Sequence, residues 1–186
     1  TSNTLKATSI ETVNLALSTT ATIAEATTTL TVSALNASTI KVTGADADPA
    51  TILALGTLDT DTATVDASGY KGVLTMTAGT GTAMTVSANG TRANTITTST
   101  GSDTVTLAGN LGTSIQVIDA LGGTLDTLNA NADNAATDLT SIAGFETINL
   151  TVKNSTAVGV ANTVAAMTGF NAATTVNISG GNSLSS

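Results

Sequence analysis

The stretch TITTSTGSDTVTL, residues 95–107, decides how this chain is read. Two short threonine-rich segments, Thr95–Thr98 and Thr104–Leu107, flank a turn of Gly101, Ser102 and Asp103. Each segment alternates apolar and polar residues, the period of a half-buried strand, with Ile96, Val105 and Leu107 on the inner face. Gly101 is expected to permit a left-handed turn. Asp103 is expected to accept hydrogen bonds from turn amides or to bind a hard cation.

The same phrase recurs outward from this unit. Strand centres fall at Thr64, Thr75, Thr85, Ile96, Val105, Gln116 and Leu128, separated by Gly, Asn, Asp and Ser. Strands at such regular intervals mean an all-β fold, either a sandwich or a solenoid. The strands are very short, and the large hydrophobics of a sandwich core are missing. The expected fold is therefore a parallel β-solenoid, β-roll or β-helix-like, with two strands per coil of roughly 20 residues. The chain holds 42 threonines, which favour a pleated surface. With 2% aromatic residues, its core must be a thin one of Val, Ile, Leu and Ala.

Short helical or looped excursions are expected to interrupt the rhythm. Asp48-Pro49 reads as a helix start, with a short helix over Ala50–Leu55. Asp133–Ile142 reads as a helical or looped excursion, and Val158–Met167 fits helix or strand equally. The phrase Glu11-Thr12-Val13-Asn14-Leu15 returns as Glu146-Thr147-Ile148-Asn149-Leu150, an internal repeat. Residues 1–186 are taken as one solenoid domain. The opening Thr1 suggests a mature product or an excised fragment of a larger surface protein.

The net charge is −8, and only five Lys and Arg occur, scattered along the chain. Nucleic acid needs clustered cations and is not an expected partner. No apolar stretch is long enough for a transmembrane segment. With no Cys and no His, disulfides, thiolate catalysis and imidazole chemistry are excluded. Paired carboxylates alone could cleave a glycosidic bond, but a sugar groove would normally add aromatic platforms. Tyr70, Phe145 and Phe170 are the only aromatics, and they are expected to seal the solenoid. No enzyme is expected.

The acidic turns are the candidate site. Gly101-Ser102-Asp103-Thr104-Val105 matches the second half of the nonapeptide G-G-x-G-x-D-x-U-x, with Thr98 and Ser99 in place of its first two glycines. Gly122-Gly123-Thr124-Leu125-Asp126 keeps the two glycines but is one residue short. Asp103 and Asp126 are 23 residues apart, about one coil, so they can stack. The candidate calcium ligands are Asp103, Asp126 and Asp119 with the turns at Gly101 and Gly123. The alternative is that these aspartates only cap turns. Glu11 and Glu146 are read the same way, as turn caps or as ligands and assembly contacts. Asp66-Ala67-Ser68 reads as a turn after the strand Ala63–Val65, structural, with metal binding as the alternative. The triplets Thr75-Met76-Thr77, Thr95-Ile96-Thr97 and Thr104-Val105-Thr106 raise ice binding, which needs them in register on successive coils.

The succession GSDTVTLAG, GGTLDTLNA, GFETINLTV and TTVNISG resembles RTX-type S-layer proteins and large repetitive adhesins of Gram-negative bacteria. TLTVSALNASTIKVTG and TATVDASGYKGVLTMTA are similar to the calcium-bound solenoid of such proteins. The resemblance spans Ile10 to about Gly181. It implies secretion by a type I system with a C-terminal signal, calcium-dependent folding and an extracellular place in a surface layer. It also implies self-assembly with identical subunits, and it carries over Asp103 and Asp126 as matching aspartates. Tandem perfect nonapeptides are absent. The expected function is a structural, calcium-stabilised surface segment that assembles laterally. The alternative is an adhesion module that binds carbohydrate, lipopolysaccharide or a host glycan, or ice, through its threonine-rich faces.

Overall fold

A computed structural model describes residues 10–17, 29–31, 37–44, 51–111, 116–132, 137–139, 141–152, 164–165 and 172–180. These residues form a parallel β-solenoid. One sheet has eight strands in the order β1 (Thr12–Ala16), β3 (Thr39–Gly44), β5 (Thr64–Tyr70), β7 (Thr85–Asn89), β9 (Thr104–Leu111), β11 (Thr127–Ala132), β14 (Thr147–Val152) and β16 (Thr175–Ser179). The other has six: β13 (Ile142–Ala143), β10 (Val117–Asp119), β8 (Thr95–Thr97), β6 (Val73–Thr77), β4 (Ile52–Thr57) and β2 (Thr29–Thr31). The chain alternates between the two sheets from β1 to β11, so each strand pairs with one a full coil away. A pair of two-residue strands, β12 (Thr137–Asp138) and β15 (Val164–Ala165), lies apart.

The register explains why the sequence chooses this fold. The first position of all eight strands of the larger sheet is threonine, and Thr12, Thr39, Thr64, Thr85, Thr104, Thr127, Thr147 and Thr175 form one column. Parallel strands sit about 4.8 Å apart, so like residues touch along a column. The next column points inward and is Val13, Ile40, Val65, Val86, Val105, Leu128 and Ile148, all buried. The following inward column narrows to alanine at Ala67, Ala88 and Ala130. The smaller sheet supplies bulk with Leu53, Leu74, Met76, Ile96, Ile118 and Ile142. All join a single thin core with no large aromatic layer. Tyr70 and Phe145 are buried within it, as sealing residues should be, while Phe170 lies outside the described residues.

Several local expectations yield to tertiary pairing. The helix expected over Ala50–Leu55 is instead β4, whose Leu53 and Leu55 are buried and whose register follows β6. Asp48-Pro49 lies outside the described residues, and no helix occurs among those described. Alternation in Ile52-Leu53-Ala54-Leu55 outweighs a local start signal, because burial against neighbouring coils rewards period two. Gly56, at φ 66, absorbs a bulge between β4 and β6. The region 133–142 is not a helix where it is described: Ile142 begins β13, and Thr137–Asp138 pairs with Val164–Ala165. Asp66-Ala67-Ser68 lies inside β5 rather than in a turn after it. Gln116, read as a strand centre, precedes β10 and is buried.

Candidate functional site

The candidate site is the corner where the chain enters the larger sheet. The residue before each first threonine stacks along the axis, and from β7 to β14 that column reads Met84, Asp103, Asp126 and Glu146. The carbonyls of Met84, Asp103 and Asp126 accept the N–H groups of Thr104, Thr127 and Thr147 at 2.8, 2.8 and 3.0 Å. Their own N–H groups need another acceptor, because a buried amide left unpaired is costly. Carboxylates of the following coil supply it. Met84 N–H donates to Asp103 Oδ1 at 2.7 Å, Asp103 N–H to Asp126 Oδ1 at 2.7 Å, and Asp126 N–H to Glu146 Oε2 at 2.8 Å. Asp103 thus accepts a backbone amide from the neighbouring coil as well as a hydroxyl from its own turn.

The two aspartates are fully enclosed, Asp103 at 1% and Asp126 at 0% exposure. Ser99 Oγ lies 3.0 and 3.1 Å from the Asp103 carboxylate oxygens, so the residue standing where the nonapeptide has glycine supplies a hydroxyl. Asp126 Oδ2 is buried with no hydrogen-bond partner. Burial pushes the Asp126 carboxyl above its ordinary value, the backbone N–H groups of Asp103 and Gly123 pull it back, and the charges of Asp103 and Glu146 raise it further.

The glycines act by close approach. Neither Gly101 nor Gly123 has a positive φ, so the left-handed turn expected at Gly101 is not formed. A Cβ on Gly101 would lie 2.6 Å from Ala83 N and 2.7 Å from the Thr82 carbonyl carbon. A Cβ on Gly123 would lie 2.6 and 2.7 Å from the Asp126 carboxylate oxygens and closer still to the Gly101 carbonyl oxygen. The structure therefore brings Gly101, Gly123, Asp103 and Asp126 together and adds Glu146. Asp119 is elsewhere, exposed in β10 on the smaller sheet, in the column of Thr77 and Thr97. Glu11 is exposed, and its carbonyl accepts the Ser38 hydroxyl at 2.8 Å.

Oxygen is the only donor type here, which suits a hard cation. Among the described residues no three carboxylates converge closely enough to form a metal cage. The nearest approach to a cation site is the buried Asp126 Oδ2, which has no hydrogen-bond partner, and the Gly101 carbonyl near Gly123, fewer oxygens than the roughly six to eight that calcium takes.

A second corner does the same work without charge. Leu74 N–H donates to Asn94 Oδ1 at 3.0 Å, and Asn94 Nδ2 donates to Gln116 Oε1 at 3.1 Å. Gln116 Nε2 donates to the carbonyls of Gly90 and Arg92. Asn94 and Gln116 escape motif reading because neutral amides one coil apart carry no local signature. The usable signal is a polar side chain immediately before two successive strands of one sheet, Asn94 before β8 and Gln116 before β10.

On the outer face, Asn177 Nδ2 donates to Asn149 Oδ1 and Asn149 Nδ2 to Asn129 Oδ1, each at 2.8 Å. A shallow groove of about 140 Å³ beside this ladder is lined by Thr106, Asn129, Asn131, Asn149 and Thr151, among others. Thr75-Met76-Thr77 and Thr95-Ile96-Thr97 are in register on the smaller sheet, but the next coil there presents Val117 and Asp119. Thr104-Val105-Thr106 is on the other sheet. No described helix is long and apolar enough to cross a membrane. Comparison with family models, characterised proteins and solved structures finds no match to this chain.

Proposed function

We propose that this chain is a structural segment of a secreted, S-layer-like surface protein, a solenoid stabilised by calcium and assembled with copies of itself. The resemblance to RTX-type surface proteins supports this reading, and one structural observation carries it. Two corners of the coil solve the same hydrogen-bonding problem, one with neutral amides and one with stacked carboxylates. Amides suffice for the geometry, as Asn94 and Gln116 demonstrate. A carboxylate column that is costlier to bury, and that leaves Asp126 Oδ2 unpartnered, makes sense where a cation offsets it. Asp126 and the Gly101 carbonyl would hold the ion, with Asp103 and Glu146 adding negative charge beside it. Calcium would supply positive charge at a corner that otherwise repels itself. The chain's work is mechanical and involves no turnover chemistry.

Calorimetry with calcium and with excess chelator tests the metal. Calcium binding to the folded state alone raises the melting temperature, by an amount that grows with the logarithm of calcium concentration above the dissociation constant. An unchanged melting temperature in chelator removes calcium from the account.

The polar groove beside Asn129 and Asn149 favours a second reading, adhesion to carbohydrate, since amide and hydroxyl groups match sugar hydroxyls. A glycan array tests it. Silence there, and in a thermal-hysteresis assay for ice, leaves the structural reading.

A further inference from the structure

The outer face of the larger sheet changes character along the solenoid. Side chains two residues apart on one strand share a face and stand about 6–7 Å apart. The outward row at the third strand position begins with Lys41, Asp66 and Ser87. It continues as Thr106, Asn129, Asn149 and Asn177, all neutral. From Thr106 onward this row is hydrogen bonded in one direction. The Asn177–Asn149–Asn129 ladder ends with Asn129 Nδ2 donating to Thr106 Oγ1 at 3.3 Å. A second row, at the fifth position, runs beside it as Asn131, Thr151 and Ser179, with Thr151 Oγ1 and Ser179 Oγ 3.3 Å apart. The groove of about 140 Å³ is lined by both rows, so it runs across the strands and along the solenoid axis. Its floor is formed at Leu107 and Ala130, whose side chains are buried in the core. In β9 a bulge at Ala108 and Gly109 takes the place of the second row, with Gly109 at φ 81 and its carbonyl accepting Asn131 Nδ2 at 3.2 Å.

Three properties of this groove select a ligand. Its polar groups repeat once per coil, every 4.8 Å or so, in a straight line. Asn129 and Asn149 each spend one of two Nδ2 hydrogens and one Oδ1 lone pair on the ladder, which leaves a donor and an acceptor on every rung. Among the described residues no charged or aromatic side chain lines the groove, and the chain as a whole carries −8, so an anionic polymer is disfavoured. We propose that the groove binds a linear, neutral, equatorially linked hexose polysaccharide laid along the solenoid axis, one ring over each coil. In such a chain successive rings advance by close to the thickness of one coil, and hydroxyls project from both edges of a flat ribbon. Asn129 and Asn149 take the hydroxyls of one edge, and Asn131 and Thr151 those of the other. Each ring makes only neutral hydrogen bonds, so useful affinity comes from several rings held at once. The proposal rests on the carbohydrate reading and deepens it by naming the shape, direction and site of the sugar chain.

Isothermal titration of the full chain with cello-oligosaccharides of one to six rings tests this. Affinity is expected to rise roughly threefold to tenfold with each added ring and to level off once the rings outrun the ladder. Salt is expected to leave it unchanged, since no charge takes part. Asn149→Leu is expected to weaken the longer oligosaccharides about tenfold or more. Thr151→Val, which removes one hydroxyl and keeps the side-chain shape, is expected to give a smaller loss with an unchanged melt, and it serves where Asn149→Leu fails to fold. Thr95→Leu, on the exposed face of the smaller sheet, is expected to change nothing. A single ring that binds as tightly as the longer chains, or binding that survives both groove variants, overturns the groove and leaves adhesion to carbohydrate elsewhere on the surface. Silence toward every oligosaccharide of the series, with other glycans bound on the array, overturns the groove in the same way. Silence toward all glycans removes the carbohydrate reading itself.

Discussion

The backbone N–H of Asp103 donates to the carboxylate of Asp126, 2.7 Å away and 23 residues further along the chain. The donor residue is itself an acceptor for Met84, and the acceptor residue is itself a donor to Glu146. Each coil thus caps the one before it, and the cap and the capped residue are both acidic in two successive rungs. This relay ties the corner together along the solenoid axis. It also concentrates negative charge, and the two properties can be separated by experiment.

Asp126→Asn should stabilise the protein in chelator at neutral pH. An asparagine keeps the acceptor for Asp103 N–H and removes the charge beside Asp103 and Glu146. The Asp126 carboxyl titrates above its ordinary value in the fold. Its contribution to stability is therefore fully present below about pH 4, the unfolded carboxyl value, and lost as pH rises through the raised folded value. The wild-type minus variant difference in unfolding free energy should become less favourable to wild type across that window. Urea titrations from pH 3.5 to 7.5 in chelator check this. A difference that does not move with pH would remove Asp126 as the titrating group. The same variant should lose any calcium-induced rise in melting temperature.

Gly123→Ala should be among the most damaging single changes. Its Cβ would meet the Asp126 carboxylate and the Gly101 carbonyl, and backbone on that side cannot give way without separating the coils. Overpacking of this kind costs roughly 1–3 kcal/mol or more. Gly81→Ala is the contrast. Gly81 has φ 90 but open space around its Cβ, so only backbone strain of roughly 1–2 kcal/mol applies. Chemical denaturation of the two variants ranks them, and a milder Gly123→Ala would contradict the close stacking.

Much of this fold was legible and part of the site was not. Alternation around Ile96 and Val105, with strand centres about ten residues apart, pointed to two strands per coil. The ETVNL and ETINL copies share a register position in one sheet, as a repeat should. The stacking of Asp103 on Asp126 followed from their spacing. The strand at Ile52–Thr57 was masked by a local helix signal at Asp48-Pro49, because parallel pairing is non-local and leaves no trace in adjacent residues. Asp119 looked close to Asp126 in sequence, yet the chain changes sheets between them. The Asn94–Gln116 corner escapes because Asn94 reads as an ordinary loop residue and Gln116 as a strand centre until the neighbour one coil away is known.

Gln116→Glu should test that neutral corner. A carboxylate could still accept from Asn94, but it could not donate to the Gly90 and Arg92 carbonyls, and would sit against them. Each orphaned buried group costs roughly 1–3 kcal/mol. The loss should shrink as pH falls and the carboxyl becomes a donor again. Thermal melts at pH 4 and pH 7 read this directly. Equal destabilisation at both values would mean that the donor function of Gln116 is unimportant.

Tyr70 offers a spectroscopic probe of the core. It is the only tyrosine, and the chain has no tryptophan, so ultraviolet tyrosinate absorbance reports this residue alone. Its hydroxyl donates to the Thr51 carbonyl at 3.0 Å, and its ring is 1% exposed. Burial pushes its pKa from the ordinary 10.0 up to about 12. The sign follows from linkage: this stability is fully present below the unfolded value and is lost as pH rises through the folded one. The native protein should therefore show little tyrosinate at pH 11, while protein unfolded in urea titrates near the ordinary value. Tyr70→Phe should cost roughly 1–3 kcal/mol, because the Thr51 carbonyl, on a buried residue, keeps its desolvation without its donor. It should also abolish the absorbance change altogether. A native midpoint near the ordinary value would mean that the ring is reached by solvent and that the coil beneath it is open.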